Sequence, residues 1–271
     1  MSVKMRYFPG GKTKALTMSY DDGPKFDRRL IEIFNKYGIK GTFHLNSGNL
    51  TETKTEDAWN VSKEEVAELY KGHEVSVHTL THPNPCMLSN MGVVKEIMQD
   101  KQNLEQLCGY PVRGMSYPFG AYDDDVLSIL PAVGMEYSRT VNSTGRFSLP
   151  KNFLEWHPTA HHCADICEKG KEFLESNRPW DRNVMYVWGH SYEFNNDNNW
   201  ELIEEFCELM SGHDNVWYAT NIEIVDYVNA VRALKFTADE TVVYNPSAIS
   251  VWVDVDGAAV EVKGGETKKL K

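Results

Sequence analysis

A chain of 271 residues is long enough to bury most of the surface that its unfolded form exposes, so it needs no disulfide staples to fold. Hydrophobic side chains at 41% and charged ones at 25% exclude a disordered or fibrous chain. A formal net charge of -11 argues against a nucleic-acid partner, which is met by a basic patch that neutralises phosphates.

In chain order, the apolar run KALTMSY (14–20) predicts a strand, FDRRLIEIFNKYG (26–38) an amphipathic helix and GTFHL (41–45) a second strand. The alternation continues with a helix over 62–72 before HEVSV (73–77), one over 93–109 before PVRGMSY (111–117), and one over 123–134 before MEYSRT (135–140). Ser62 with Glu65 three residues later reads as a capping box, and Gly38 and Gly72 stand where helix C-terminal glycines belong. VMYVWG (184–189), WELIEEFCELMSG (200–212), VWYA (216–219) and NIEIVDYVNAVRAL (221–234) close the series. About seven strand–helix units over 14–235 predict an α/β chain of barrel type, with residues 1–235 as the main domain. From residue 236 to 271 the pattern turns to period two with Asp-Gly and Gly-Gly turns, which predicts a small β-appendage packed on the barrel.

Cys86, Cys108, Cys163, Cys167 and Cys207 are an odd, irregularly spaced set that reads as reduced thiols. Residues 1–13 hold no apolar core of signal-peptide length, and no later run approaches the roughly 20 apolar residues of a membrane span. A cytoplasmic protein with no membrane contact is therefore expected.

Asp21 and Asp22 directly follow the first predicted strand and precede the Gly23-Pro24 turn, so they sit at a strand's C-terminal end, where βα barrels carry their active sites. An Asp-Asp-Gly surface turn is the plainer alternative for such a pair alone. His78 and His82 follow HEVSV at a four-residue spacing, and one helical turn would put both imidazoles on one face to share a metal. Two histidines and a carboxylate suit a catalytic ion that keeps positions open for water and substrate. His190 follows another apolar strand, and imidazole is the usual proton donor near neutral pH.

These residues lie in motifs that resemble the polysaccharide deacetylase (NodB-homology) family, carbohydrate esterase family 4. SYDDG resembles its first motif, HTLTH its second, YPFG the end of its third and WGH its fifth, in the family's order. The resemblance implies a distorted (β/α) barrel and one divalent metal, zinc first and cobalt, nickel, iron or manganese as alternatives. Carried over, Asp22, His78 and His82 resemble the metal ligands, Asp21 the general base and His190 the general acid. Thr79 fits the hydroxyl that braces the second motif, and the Phe119 N–H matches the oxyanion donor, beside Tyr117 of the third motif.

The chain also departs from the pattern. Ser116 stands where the third motif has arginine, the fourth motif's aspartate and tryptophan are not evident, and Trp188 replaces the leucine of the fifth. Arg139 ends a predicted strand on the face of Asp21 and is expected to reach its carboxylate, whereas Arg113 should lie toward the opposite face. HHCADIC, with His161, His162, Cys163 and Cys167, has the look of a metal cluster but reads as a loop entering a helix capped by Asp165. Trp156, Tyr122 and Tyr192 are candidates to stack on sugar rings.

The expected activity is removal of an acetyl group, N- or O-linked, from a sugar or oligosaccharide. Two rivals are hydrolysis of a small non-sugar amide on the same barrel, and a catalytically silent glycan-binding protein. Intact Asp21, Asp22, His78, His82 and His190 speak against the second, because a binder need not keep both a metal set and a proton-transfer pair.

Overall fold

The computed structural model describes residues 1–55, 57–176 and 182–271. After a short strand β1 (Val3–Lys4), the chain runs through β2 (Lys14–Asp21), α1 (Asp27–Tyr37), β3 (Gly41–Leu45), α2 (Val66–Leu69) and β4 (Glu74–Val77). It continues with α3 (Asn90–Cys108), β5 (Gly114–Ser116), α4 (Asp124–Ile129), β6 (Tyr137–Arg139), β7 (Ala160–His161), α5 (Ile166–Glu175) and β8 (Asn183–Gly189). Then come α6 (Ser191–Asn196), α7 (Trp200–Met210), β9 (Val216–Tyr218) and α8 (Asn221–Arg232). Five short strands end the chain: β10 (Lys235–Phe236), β11 (Val242–Tyr244), β12 (Val251–Val255), β13 (Ala258–Val262) and β14 (Thr267–Lys269).

The central sheet is parallel, in the order β6, β5, β4, β3, β2, β8, β7, with β9 beside the first residues of β2. Every residue of β2 is buried, as expected for a parallel strand covered on both faces. The curved sheet is closed by one segment: Trp156 exchanges backbone hydrogen bonds with the β6 side, and residues 159–162 bond along β8. The result is a distorted (β/α) barrel, and β7 is a stave that the sequence pattern does not signal.

The capping box expected at Ser62 and Glu65 is present, although it opens a 3-10 turn before the single helical turn of α2. Gly38 ends α1 with φ 67°. Gly72 lies beyond the C-cap of α2, which is Tyr70. The last strands form two three-stranded antiparallel sheets, and β1 pairs with β12, so the two ends of the chain share one sheet. Val243, Val251, Val253 and Val262 pack in a common core with Ala15, Tyr186 and the buried face of α8.

Candidate active site

Strand C-terminal ends deliver the chemistry: β2 brings Asp21 and then Asp22, β4 precedes His78, β5 ends at Ser116, β6 at Arg139, and β8 precedes His190. Asp22, His78 and His82 come together, and one ligand atom from each lies within 4.8 Å of the others. His78 Nε2 is 3.5 Å and His82 Nε2 is 3.6 Å from Asp22 Oδ1.

The route to that grouping differs from the expected helical turn. Residues 78–82 form a loop in which Thr79 (φ 65°) and His82 (φ 59°) are left-handed, and Asp22 (φ 77°) and Phe119 (φ 58°) share that conformation across the cleft. Such backbone persists only where the surroundings over-determine it. Here the surroundings are buried polar groups. The His78 N–H donates to Leu45 O at 3.0 Å and to Asp100 Oδ2 at 3.1 Å. The Asn46 amide donates to His78 O and to Thr79 O, the latter at 2.9 Å. The Thr79 hydroxyl, expected to brace this loop, is instead buried with no hydrogen-bond partner among the described residues, and Asn46 supplies the brace.

His78 Nδ1 lies 3.0 Å from the Ser116 carbonyl oxygen and 2.7 Å from its hydroxyl. A carbonyl only accepts, so Nδ1 carries the proton and Nε2 turns its lone pair toward Asp22. Ser116 also donates to Asp21 Oδ1 at 3.1 Å. The departure from the family pattern therefore ties a ligand candidate to the base candidate.

Asp21 is 2% exposed and accepts from the Arg139 guanidinium at Oδ2. Arg139 is fully buried, donates to Thr140 O at 3.2 Å, and lies over the Trp188 ring at 4.4 Å. Burial alone would push the Asp21 carboxyl up, but Arg139 first, then His78, His44 and His190, hold it well below the usual carboxylate range. Arg113 sits at the start of β5, forked onto Asp226 at 2.8 and 2.7 Å and bonded to Glu136 at 3.0 Å.

His190 faces the group from β8, with Nε2 3.9 Å from Asp22 Oδ2. Behind it stands Glu193, which the sequence reading missed. Its Oε1 is 3.3 Å from His190 Nδ1, and its Oε2 accepts the His190 backbone N–H at 2.9 Å. The available signal was a capping box, a carboxylate three residues after the N-cap. Glu193 Oε2 is also 3.2 Å from both His161 Nε2 and His162 Nε2. Burial would raise Glu193, yet its bonds to His161 and His190 hold it well below the usual carboxylate range. Burial would lower His190, and the same Glu193, with Asp21 and Asp22, brings it above the usual imidazole value.

His161, His162 and Cys163 do approach within 4.8 Å of one another, without Cys167. His162 is fully buried and stacked against Phe194 at 4.1 Å. Gly189 makes room for it, since a Cβ there would lie 2.0 Å from His162 Nδ1. The helix expected after this loop is α5, but Asp165 does not cap it: the residue is left-handed (φ 49°) and makes no side-chain cap.

Tyr117, Phe119, Val141, Trp188 and Tyr192 wall a cleft of about 410 Å³ over the group. The Tyr117 hydroxyl is spent on Leu154 O at 2.7 Å, so its ring faces the cleft as an apolar surface. Tyr192 stacks on His190 at 5.0 Å, and Tyr122 stacks on Tyr117 at 4.7 Å. Trp156 cannot stack on a sugar. It is 1% exposed and packed against Tyr137, Phe153 and Tyr186, because its segment closes the barrel.

No helix among the described residues is long and apolar enough to cross a membrane. Residues 9–138 match the family model described as polysaccharide deacetylase. Chitin deacetylase 1 of Cryptococcus neoformans is 29% identical over 121 residues, covering 44% of this chain and 24% of that protein. The chitooligosaccharide deacetylase of Sinorhizobium fredii is 24% identical over 129 residues, covering 46% of this chain and 56% of that protein. The chain thus spans between about a quarter and somewhat more than half of these relatives' length. Among solved structures, a family 4 carbohydrate esterase from Streptomyces lividans in complex with acetate superposes with TM-score 0.53 at 14% identity, over 77% of this chain and 93% of that one. That likeness speaks to the fold. With its motifs in order on a matching barrel, the chain resembles the polysaccharide deacetylase family, carbohydrate esterase family 4, and matches that family's model over residues 9–138.

Proposed function

We propose that this chain is a metal-dependent hydrolase that removes N- or O-linked acetyl groups from a sugar or oligosaccharide. The observation that carries the reading is the facing of two unlike groups across one cleft: a buried carboxylate held ionised by Arg139, and an imidazole backed by Glu193. Proton removal and proton supply need two such groups on opposite sides of the carbonyl.

Asp22, His78 and His82 fit a divalent ion, zinc first and cobalt, nickel, iron or manganese as alternatives. The donor set is two imidazoles and a carboxylate, and His78 Nε2 and His82 Nε2 lie 3.5 and 3.6 Å from Asp22 Oδ1, close enough for all three to hold one ion. The Ser116 carbonyl also fixes the tautomer that a ligating His78 needs. When bound, such an ion lowers the pKa of water and polarises the acyl carbonyl.

The chain's own residues do the rest. Asp21, held by Arg139 and Ser116, takes the proton of the attacking water, and the oxygen that becomes negative is assigned to the N–H of Phe119, a lining residue of the cleft, on the likeness of its motif. His190 delivers a proton from Nε2 to the leaving nitrogen or oxygen as its bond to the acyl carbon breaks, giving acetate and a free amine or alcohol. The acetyl methyl packs against Trp188, Tyr117 and Val141. The test is metal analysis followed by acetate release from a panel of acetylated mono- and oligosaccharides, with small cyclic amides as the contrast. Release from the amides and none from the sugars would move the reading to the non-sugar rival.

A further inference from the structure

Residues 140–159 connect β6 to β7 and hold one regular element, the 3-10 turn Phe153–Glu155. A connection longer than about 12–15 residues with so little structure of its own is uncommon in a compact domain and usually functional. Its start serves the cleft through Val141, and its remainder lines a separate cavity of about 310 Å³ that shares no residue with the cleft. That wall is pinned. The Thr144 N–H donates to Pro158 O at 3.0 Å and the Gly145 N–H to Thr159 O at 2.9 Å, while the Thr159 hydroxyl donates back to Arg146 O at 2.9 Å. Further along, Asn152 accepts the Leu154 N–H at 3.1 Å and donates to Glu155 Oε2 at 3.0 Å. A wall fixed through its backbone is formed before any ligand arrives.

The cations of this cavity are not paired off. The Arg146 guanidinium and the Lys151 ammonium make no ion pair or hydrogen bond among the described residues, and neither does the Ser148 hydroxyl. In a chain with 39 acidic and 28 basic side chains, a cation has acids to choose from; Arg113, which lines another cavity, is forked onto Asp226. Glu155 is the one acid in the lining, and Asn152 engages it rather than either cation. His157 adds a donor. Its Nδ1 is 2.6 Å from the Thr140 hydroxyl, which already accepts the Asn142 N–H at 3.3 Å. By giving its own proton to Nδ1, Thr140 uses its donor and acceptor alike, which leaves the ring proton of a neutral His157 on Nε2.

We propose that this cavity is a phosphate site: it binds the phosphate group of a small ligand through Arg146, Lys151, the His157 Nε2–H and the Ser148 hydroxyl. Donors on four side chains exceed what the two oxygens of a carboxylate need and suit the three free oxygens of a phosphate monoester. The volume stands at the lower end of the about 300–1,000 Å³ of small-molecule pockets, which suits a phosphate carrying at most one sugar-sized body. Nothing in this site depends on the deacetylase reading.

Calorimetric titration of the whole protein at low ionic strength tests the site with inorganic phosphate and with glucose 6-phosphate, which has no acyl group to lose, and with glucose as the neutral contrast. Phosphate should bind and glucose should not. Arg146→Gln and Lys151→Gln replace exposed side chains, so the fold tolerates them. Each should weaken phosphate about tenfold, because each removes a charge-assisted hydrogen bond. Glucose 6-phosphate bound about tenfold tighter than inorganic phosphate identifies a phosphorylated sugar as the occupant, and an equal or weaker affinity identifies the free anion; either upholds the site. No binding at about 10 mM phosphate would overturn it. So would binding that both variants leave unaltered, which is the behaviour of phosphate held by an ion at Asp22, His78 and His82.

Discussion

Removing the Arg139 guanidinium tests the centre of the mechanism. In Arg139→Ala the Asp21 carboxylate keeps its burial, which is the largest influence on it and pushes its pKa up, and loses the cation that does most to hold it down. An opposite charge at this range lowers a carboxyl by about 1–3 units, so the acidic limb of the kcat/KM profile should move up by that amount. An ion at Asp22, His78 and His82 would add positive charge nearby, which places the shift toward the lower end. Stability carries a matching signature. A carboxylate whose folded pKa is depressed contributes stability that is present above its unfolded pKa and lost as pH falls through the folded one. Without Arg139 that contribution becomes a penalty of about 3–5 kcal/mol for an unpaired buried charge, relieved when the group takes up a proton. Metal-free Arg139→Ala should therefore lose more thermal stability at pH 8 than at pH 3, while Arg139→Lys, which keeps the charge but not the fork, should lie between. A profile that does not move, together with a stability loss equal at both pH values, would refute the pairing as the reason Asp21 is ionised.

Asp21→Asn should keep its metal by elemental analysis and lose about 10²–10⁴-fold in kcat, because asparagine preserves shape but cannot take a proton; near-normal turnover would place the base elsewhere. Glu193→Gln removes the charge behind His190, so deacetylation of an amide, whose leaving nitrogen needs a proton, should fall at least about tenfold, whereas hydrolysis of an activated aryl acetate should change little. Equal losses on both substrates would reduce Glu193 to a structural cap. Glu74 lies far from this chemistry, buried where it accepts from Tyr137 at 2.7 Å, Thr42 at 2.9 Å and the Ile222 N–H at 3.0 Å, and burial pushes it up to about 7. The fold holds a proton there that the unfolded chain releases, so stability falls as pH rises from about 4.5 to 7, by roughly 3 kcal/mol. Glu74→Gln should reduce the loss of melting temperature between pH 5 and pH 8. It should not abolish that loss, because Asp27 and Asp100 are pushed up to about 7 and about 8 in the same way. An unaltered loss would show that Glu74 is already ionised in the folded protein.

The parts of this site that are legible in the sequence are those fixed by local pattern. An apolar run covered on both faces ends where Asp21 and Asp22 begin, and the end of a parallel strand in a barrel already says which face the next side chains reach. The same logic put Arg139 beside Asp21 and Arg113 away from it, since one ends its strand and the other precedes one. The His78 and His82 spacing was legible as a pair but not as a shape. The left-handed Thr79 is held by Asn46, and the neighbouring His78 N–H by Asp100, groups dozens or about twenty residues away, and no local pattern encodes such an agreement. Trp156 misled for a related reason, because whether an aromatic is a platform or a core residue depends on what covers it, and here its own segment closes the barrel between β6 and β8. Glu193 is the intermediate case. Its distance from His190 along the chain is a recognisable cap, yet its second task, bridging His161 and His162 to His190, exists only because β7 and β8 run side by side and Gly189 leaves the space. In this barrel the acid and base candidates are therefore written on single strands, while the groups that orient them are written across strands.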